Sequence, residues 1–268
     1  MTSLLKIVLI YSILNIVLSD GLPPSIQLSQ SPSPNPFHID HEVLKPYSPY
    51  QDLGKSRKRS PPPPPSPPPP PPSFDHFMLA QTWPPTFCIL NANCISPLPQ
   101  KFTIHGMWPG KRGVVIRDCK EENTPNLNDL HLIKKNLDID WPSLVKDVSI
   151  VFANGALWLK EWKHHETYSI QMFEFSAYFE ETLKVYHRNN IKEILEKDGI
   201  KQGGNYPKQK ILNAIQTEIK FMPQIRCEQI KNLDYLSEIR LCLTATPELE
   251  YKNCDTPYSG CHNNDIYF

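Results

Sequence analysis

The chain has 268 residues, with 28 basic and 28 acidic side chains and a formal net charge of zero at pH 7. A chain without net charge has no overall attraction for polyanions, which excludes nucleic-acid binding by bulk charge and leaves only a local cationic site. The length allows one or two domains, and the composition changes sharply along the chain.

Residues 1–19 predict a secretory signal peptide. They contain one lysine and a long apolar run, and Val17 and Ser19 are spaced as at a signal-peptidase site. A membrane anchor is the alternative, because the apolar run is on the long side. No later run approaches spanning length, so we expect a secreted, extracellular protein with no membrane segment in its mature form.

Residues 20–73 are rich in proline and serine. They include the basic run GKSRKRS (54–60) and the tract PPPPPSPPPPPP (61–72). Proline fixes φ and lacks a backbone donor, so the tract predicts a disordered or polyproline II segment outside any core. It resembles the Ser-Pro blocks of plant hydroxyproline-rich wall proteins, which implies cell-wall association. A semi-rigid spacer without a partner is the alternative.

From Phe74 onward the pattern is that of a folded domain. Two segments rich in aromatic and β-branched residues, at 74–83 and 101–108, predict strands. In the second, alternation places His105 on the face opposite Phe102.

Later segments predict further elements. Apolar residues recur three or four apart in three stretches, which predict helices: Met172 to Tyr186, Ile191 to Leu195, and Ile211 to Ile219. The segment EIRLCLT (238–244) alternates and predicts a strand. Strands interleaved with helices indicate an α+β domain over 74–268.

All seven cysteines lie beyond residue 87: Cys88, Cys94, Cys119, Cys227, Cys242, Cys254 and Cys261. Export implies an oxidising compartment in which cysteines usually pair. An odd count leaves at least one thiol without an intramolecular partner.

The stretch WLKEWKHHETY (158–168) is crowded with ionisable groups. On a helix Glu161, His164 and His165 fall at i, i+3 and i+4 and share one face. Together with His105 they could support general acid–base chemistry on a phosphodiester. A solvated, charged helix face is the alternative. A zinc site is a further alternative, but the spacing matches no usual zinc motif, so we expect no metal and no cofactor.

Five segments resemble the ribonuclease T2 family. FTIHGMWP (102–109) resembles its first active-site segment, usually FTIHGLWP, and LWLKEWKHHETY (157–168) resembles the second, usually FWxHEWxKHGTC. Residues 74–88, 199–215 and 236–242 are similar to segments of plant S-RNases. The resemblance implies a T2-type α+β fold, with a central, mainly antiparallel sheet flanked by helices and stapled by disulfides.

The resemblance also implies roles. His105 matches the general acid that protonates the leaving 5′-oxygen, and His165 the base that takes the proton of the 2′-hydroxyl. Glu161 matches a glutamate that stabilises the transition state, and Trp108 an aromatic residue beside the bound base. The implied reaction is metal-independent transphosphorylation of single-stranded RNA to a 2′,3′-cyclic phosphate by a monomer.

The second motif departs from the family pattern. Lys160 stands where the family usually has a phosphate-binding histidine, His164 stands at the catalytic lysine, and Glu166 replaces a glycine. A lysine stays cationic to about pH 10, whereas a histidine has a pKa of about 6.5. We therefore expect Lys160 and His164 to bind substrate, and a weak enzyme that works better at mildly acidic pH.

Tyr168 replaces the motif's cysteine, whose family partner corresponds to Cys119. The resemblance therefore implies that Cys119 is the free thiol. It implies these pairs for the rest: Cys88–Cys94, Cys227–Cys261 and Cys242–Cys254.

Three functions remain open at the level of sequence. The first is an active secreted endoribonuclease. The second is a catalytically weakened relative that acts by binding RNA or protein in recognition or defence, and the third is a wall-associated structural protein.

Overall fold

A computed structural model describes four stretches of the chain: residues 73–91, 93–116, 125–146 and 150–268. The predicted signal peptide, the proline-rich segment apart from Ser73, and Cys119 lie outside the described residues. None of the helices in the described stretches combines the length and apolar character that crossing a bilayer requires.

The described strands form one mixed sheet. They are β1 (His76–Thr82), β2 (Thr103–Lys111), β3 (Val114–Val115), β4 (Asn205–Pro207), β5 (Gln224–Ile230), β6 (Leu233–Thr244), β7 (Tyr251–Lys252), β8 (Tyr258–Ser259) and β9 (Asp265–Tyr267). The main path runs β3-β2-β1-β6-β5-β8, and its long pairings are antiparallel. The short pairings of β5 with β8 and of β6 with β9 are parallel. The predicted strands are confirmed.

The α-helices in the described stretches are α1 (Pro84–Leu90), α2 (Lys134–Asp140), α3 (Ile150–His164), α4 (Phe175–Tyr186), α5 (Ile191–Lys197) and α6 (Lys208–Ile219). Three of them confirm the helices predicted from apolar spacing. In α4 the buried face includes Phe175, Phe179 and Leu183, which are four residues apart. The helices and the sheet form the expected α+β fold, and the sheet is mainly antiparallel.

The central strand β1 is buried on both faces because all seven of its residues are covered. Phe77 and Leu79 lie in a large core with α2, α3 and α4. Met78 and Ala80 point the other way and pack against Trp108. We call the face that carries Ala80 the front face of the sheet and the opposite face the back face.

Two β-bulges occur on the strands that flank the front face. Ala80 pairs with Gly106 but the next residue of β1 pairs with Ile104, so His105 has no partner in β1. A second bulge, between β5 and β6, leaves Ser237 unpaired in the same way. A bulge redirects a side chain, and here it turns His105 onto the front face.

Three disulfides join six cysteines in the pairs that the family resemblance implies: Cys88–Cys94, Cys227–Cys261 and Cys242–Cys254. The last two connect β5 and β6 to the segments around β7, β8 and β9. They therefore tie the C-terminal segments to the strands that carry the front face.

Candidate active site

A cavity of about 630 Å³ opens on the front face of the sheet. It is lined by all six residues that the sequence predicts as catalytic or substrate-binding: His105, Trp108, Lys160, Glu161, His164 and His165. The strands β1, β2, β5 and β6 supply one wall, and the C-terminal end of α3 supplies another. The structure thus brings together two motifs that are about fifty residues apart in the chain.

His105 is held by a buried carboxylate that the sequence analysis did not select. Its Nδ1 lies 2.7 Å from Oε1 of Glu238, whose side chain is 8% exposed. An ionised carboxylate can only accept, so Nδ1–H donates and the proton sits on that nitrogen. The other nitrogen, Nε2, lies 3.9 Å from Oε1 of Glu161, so it is on the side available to a substrate.

Glu238 is in turn held by arginines. Arg240 reaches its Oε2 with Nε at 2.8 Å and with a terminal nitrogen at 2.7 Å. Arg226 is the residue of β5 that pairs with Glu238 of β6, and its Nε lies 4.0 Å from Oε2 of Glu238. Arg240 also donates to Gln224. The position of His105 is therefore fixed by a network across three strands rather than by one contact.

This network sets the protonation of both members of the pair. Desolvation lowers the pKa of His105, but the hydrogen bond and charge of Glu238, assisted by the charge of Glu161, outweigh it and raise the pKa above its ordinary value. Burial raises the pKa of Glu238, yet His105 and then Arg240 overcome it and hold that pKa well below its usual range. The glutamate is ionised, and the histidine keeps its proton to a higher pH than an isolated one.

Trp108 separates the two predicted catalytic histidines. Its ring centroid is 4.9 Å from that of His105 and 5.2 Å from that of His165, so the two imidazoles are no farther apart than these two distances combined. Its Nε1–H donates to Oε2 of Glu161 at 3.2 Å, and Arg240 lies 5.6 Å from the ring. The residue is only 4% exposed, which leaves little ring surface for stacking on a base.

The neighbouring glycine makes room for that indole. A Cβ at Gly106 would lie 2.3 Å from Nε1 of Trp108, closer than real Cβ atoms approach any neighbour. The glycine of the FTIHGMWP segment is thus required by packing, and the indole lies directly over the backbone of β2.

The second histidine lies just beyond the end of α3. The helix ends at His164, and the backbone N–H of His165 still donates to the carbonyl of Glu161 at 2.9 Å. The ring Nδ1 lies 3.2 Å from the carbonyl oxygen of Ile116. A carbonyl can only accept, so Nδ1 carries the proton of this hydrogen bond and Nε2 is the nitrogen that can take up another.

The helix supplies the remaining predicted groups from one turn. Glu161 is 7% exposed and bonded to Trp108, whereas Lys160 and His164 are exposed at the cavity. Together with Arg226 and Arg240 they surround the cavity with nitrogen donors, and Glu228, Glu238 and Glu161 supply the acidic lining. Apart from its histidines, the cavity is therefore lined by equal numbers of cationic and acidic side chains, and both arginines are paired with glutamates.

Sequence reasoning missed Glu238, Arg226 and Arg240. The signal was present in EIRLCLT, where Glu238 and Arg240 alternate with apolar residues on a strand that is central in the sheet. Charged residues repeated on one face of a central strand must face either a partner or a cavity.

No group of three or more histidine, cysteine, aspartate or glutamate side chains within the described residues is arranged to hold a metal ion.

Comparisons with known proteins identify the family of the chain. The Ribonuclease T2 family model matches residues 74–254, more than half of the chain. The chain belongs to the ribonuclease T2 family. It is 28% identical to Ribonuclease S-2 of Nicotiana alata over 174 residues, which cover 65% of this chain and 79% of that protein.

The chain is also similar to a mammalian relative and to a solved structure. The chain is 29% identical to Ribonuclease T2-A of Mus musculus over 187 residues, 67% of this chain and 69% of that protein. Ribonuclease MC1 from the seeds of bitter gourd has a TM-score of 0.66 and 23% identity, covering 73% of this chain and 100% of its own. Membership of the T2 family suggests an RNA endonuclease activity.

Proposed function

We propose that residues 74–268 form a secreted endoribonuclease domain that cleaves single-stranded RNA by transphosphorylation through a 2′,3′-cyclic phosphate, with reduced activity. The observation that carries the proposal is the pair of oriented imidazoles. Glu238 fixes His105 by its Nδ1, the carbonyl of Ile116 fixes His165 by its Nδ1, and both rings line one cavity. In each ring the proton of this hydrogen bond is on Nδ1, so Nε2 is the nitrogen assigned to proton transfer.

The two histidines have opposite roles. His165 accepts the proton of the ribose 2′-hydroxyl at Nε2 while the 2′-oxygen bonds to phosphorus. His105 donates its Nε2 proton to the 5′-oxygen as the bond from phosphorus to that oxygen breaks. An acid needs its proton at working pH, and Glu238 raises the pKa of His105 in that direction. The 2′-hydroxyl is itself the nucleophile, so DNA is not a substrate.

The cations stabilise the pentacovalent phosphate. Lys160 and His164 project from α3 at the cavity, and Glu161 orients Trp108 between the imidazoles. In this proposal Trp108 positions the two histidines, and base contacts come from other lining residues. A mutant of ribonuclease MC1 has been solved with 5′-UMP, which supports a nucleotide as the ligand class.

The reduced activity follows from His164. The family's lysine would be cationic throughout the physiological range, whereas a histidine carries its full charge only in acid. Loss of one electrostatic donor at a transition state typically costs about 10²–10³ in rate. Cleavage should therefore be faster at pH 5 than at pH 8.

The remaining expectations concern where the protein works. Three disulfides in the described residues support an oxidising compartment, in line with a cleaved signal peptide and secretion. The proline-rich segment associates the domain with the cell wall, the domain is a monomer, and Cys119 is its free thiol.

A second candidate is a weakened relative that binds RNA or protein in recognition or defence. It is favoured by the exchange of the catalytic lysine for His164 and by the coverage of Trp108, since both leave the cavity intact but poorer in catalytic groups.

One experiment separates the two candidates. The purified protein is incubated with RNA in EDTA at pH 5 and pH 8, as wild type and as His105→Ala, His165→Ala and His131→Ala, whose histidine lies outside the cavity. We expect cleavage by wild type and the His131 variant, and losses of about 10²–10⁴ in the other two. Equal cleavage by all four would refute the catalytic assignment. RNA binding without cleavage in wild type would favour the second candidate.

A further inference from the structure

A second cavity, of about 310 Å³, lies on the back face of the sheet. In β1, Thr82 lines the first cavity, and the preceding residue, Gln81, points to the opposite side of the sheet. Gln81 pairs with Ile239, which belongs to the helix-covered core. The walls come from the start of β2, the end of α2, the end of α4 and the start of α5.

The floor of this cavity carries an unused donor. Gln81 is 1% exposed, and its Nε2 has no hydrogen-bond partner among the described residues. A buried amide N–H without an acceptor costs free energy, and such groups in proteins usually meet a ligand or an ordered water. Gln81 is one of the residues that line the cavity, so this buried amide lies at the cavity wall.

The mouth of the cavity is rich in donors but nearly balanced in charge. Asp140 is buried, with one carboxylate oxygen on Lys101 and the other 2.9 Å from Nε2 of His187. Both oxygens are therefore occupied, while Lys101 retains N–H groups beyond the one that Asp140 accepts. A ligand that satisfies Gln81 and Lys101 must bring acceptors, and it does not need a negative charge.

The remaining lining favours a ring. The hydroxyl of Tyr186 donates to the carbonyl of Phe102 at 2.6 Å, which fixes the tyrosine ring beside the cavity, and Ile191 adds apolar surface. The volume is at the lower end of the range for small-molecule sites. A flat, uncharged ring with carbonyl or ring-nitrogen acceptors fits this combination.

We propose that the cavity binds a nucleobase, which accepts hydrogen bonds from Gln81 and Lys101 and packs against Tyr186. The choice of a nucleobase among acceptor-bearing rings rests on the proposed function, whereas the acceptor requirement rests on the cavity alone. The base comes either from a free nucleoside or from an RNA strand, and both sources have the same chemistry at this site.

Ligand binding at each of the two cavities can be measured separately, because each cavity contains a residue with its own NMR signal. The full-length protein, isotopically labelled, is titrated with uridine, cytidine, adenosine and guanosine, and with oligouridylate, while NMR records the side-chain amide of Gln81 and the indole N–H of Trp108. The Gln81→Leu variant removes the donor, and Gln229→Leu, at an exposed position of β5, is the matched control.

We expect at least one nucleoside to shift the Gln81 amide with saturation, and Gln81→Leu to weaken binding at this cavity about tenfold. Tyr186 signals report binding in that variant, and a thermal melt checks its fold. A stronger effect of oligouridylate than of uridine would assign the site to RNA. If Trp108 responds while Gln81 and Tyr186 do not, the inference fails and the proposed function stands. If Gln81 and Tyr186 respond and Trp108 does not, the inference stands, and the proposed function is tested separately by the cleavage assay with the His105 and His165 variants.

Discussion

Replacing Glu238 by glutamine tests how the protein keeps its proposed general acid protonated. The substitution keeps the shape of the side chain and removes the negative charge 2.7 Å from Nδ1 of His105. It also leaves Arg240, bonded to the same carboxylate, as an uncompensated neighbouring cation. Both changes favour the neutral imidazole, so the pKa of His105 should fall.

The expected size of the fall in the pKa of His105 follows from the geometry of the pair. A charge in direct contact typically changes a pKa by about 1–3 units, but the His105 side chain is 39% exposed and solvent screens part of the interaction. We therefore expect the lower end, about one pH unit. The alkaline limb of kcat/KM, which reports the acid in the free enzyme, should move to lower pH by that amount.

The assay is a pH–rate profile on a fluorogenic RNA oligonucleotide, with NMR titration of the His105 ring as a direct measurement. Glu228→Gln is the matched control, because Glu228 lines the same cavity but pairs with Arg226. An unchanged limb and an unchanged ring pKa in Glu238→Gln would refute the reasoning.

The same variant tests how the free energy of unfolding depends on pH. Because the pKa of Glu238 is lowered in the folded protein, its contribution to the free energy of unfolding is lost as the pH falls through that folded-state pKa. Because the pKa of His105 is raised in the folded protein, its contribution is lost as the pH rises through the folded-state pKa of the histidine. The difference in unfolding free energy between wild type and Glu238→Gln should be largest at about pH 5–6 and should shrink toward higher pH. Urea titrations across this range measure it.

Two further substitutions test the helix and the indole. His164→Lys restores a permanent cation, so RNA cleavage at pH 8 should rise about ten- to a hundredfold with little change at pH 5, and an equal gain at both values would contradict the explanation. Gly106→Ala should displace Trp108, reduce cleavage at least about tenfold and lower the melting temperature, because the new Cβ would meet the indole at 2.3 Å. Gly155→Ala in α3, where the Cβ would meet only a methyl carbon of Leu127, is its control and should leave cleavage unchanged.

Much of the fold was accessible from sequence because the apolar spacing is regular. In β6 the alternation places Ile239, Leu241 and Leu243 on one face of the strand, and in α4 to α6 the three- to four-residue spacing places the apolar residues on the buried face of each helix. The cysteine pairs were not accessible in this way, since six cysteines allow many pairings. They were inferred from the family resemblance alone.

The site was only half accessible for a related reason. His105 and His165 belong to compact motifs, so a short stretch of sequence identifies them. Glu238 is 133 residues from His105, and their contact depends on the register of β6 against β1 and on the bulge in β2. No local pattern encodes a register. The coverage of Trp108 depends on Arg240 and Gly106 in the same way, so the motif by itself does not show that the ring is nearly buried.

The most direct test of the central claim is the chemical form of the first product. A dinucleotide is incubated with wild-type protein in EDTA at pH 5, and ³¹P NMR follows the phosphate. The transphosphorylation mechanism predicts a 2′,3′-cyclic phosphate as the first product, formed by wild type and not by His105→Ala or His165→Ala. Direct release of a linear phosphate, or a cyclic product formed equally by either variant, would contradict it.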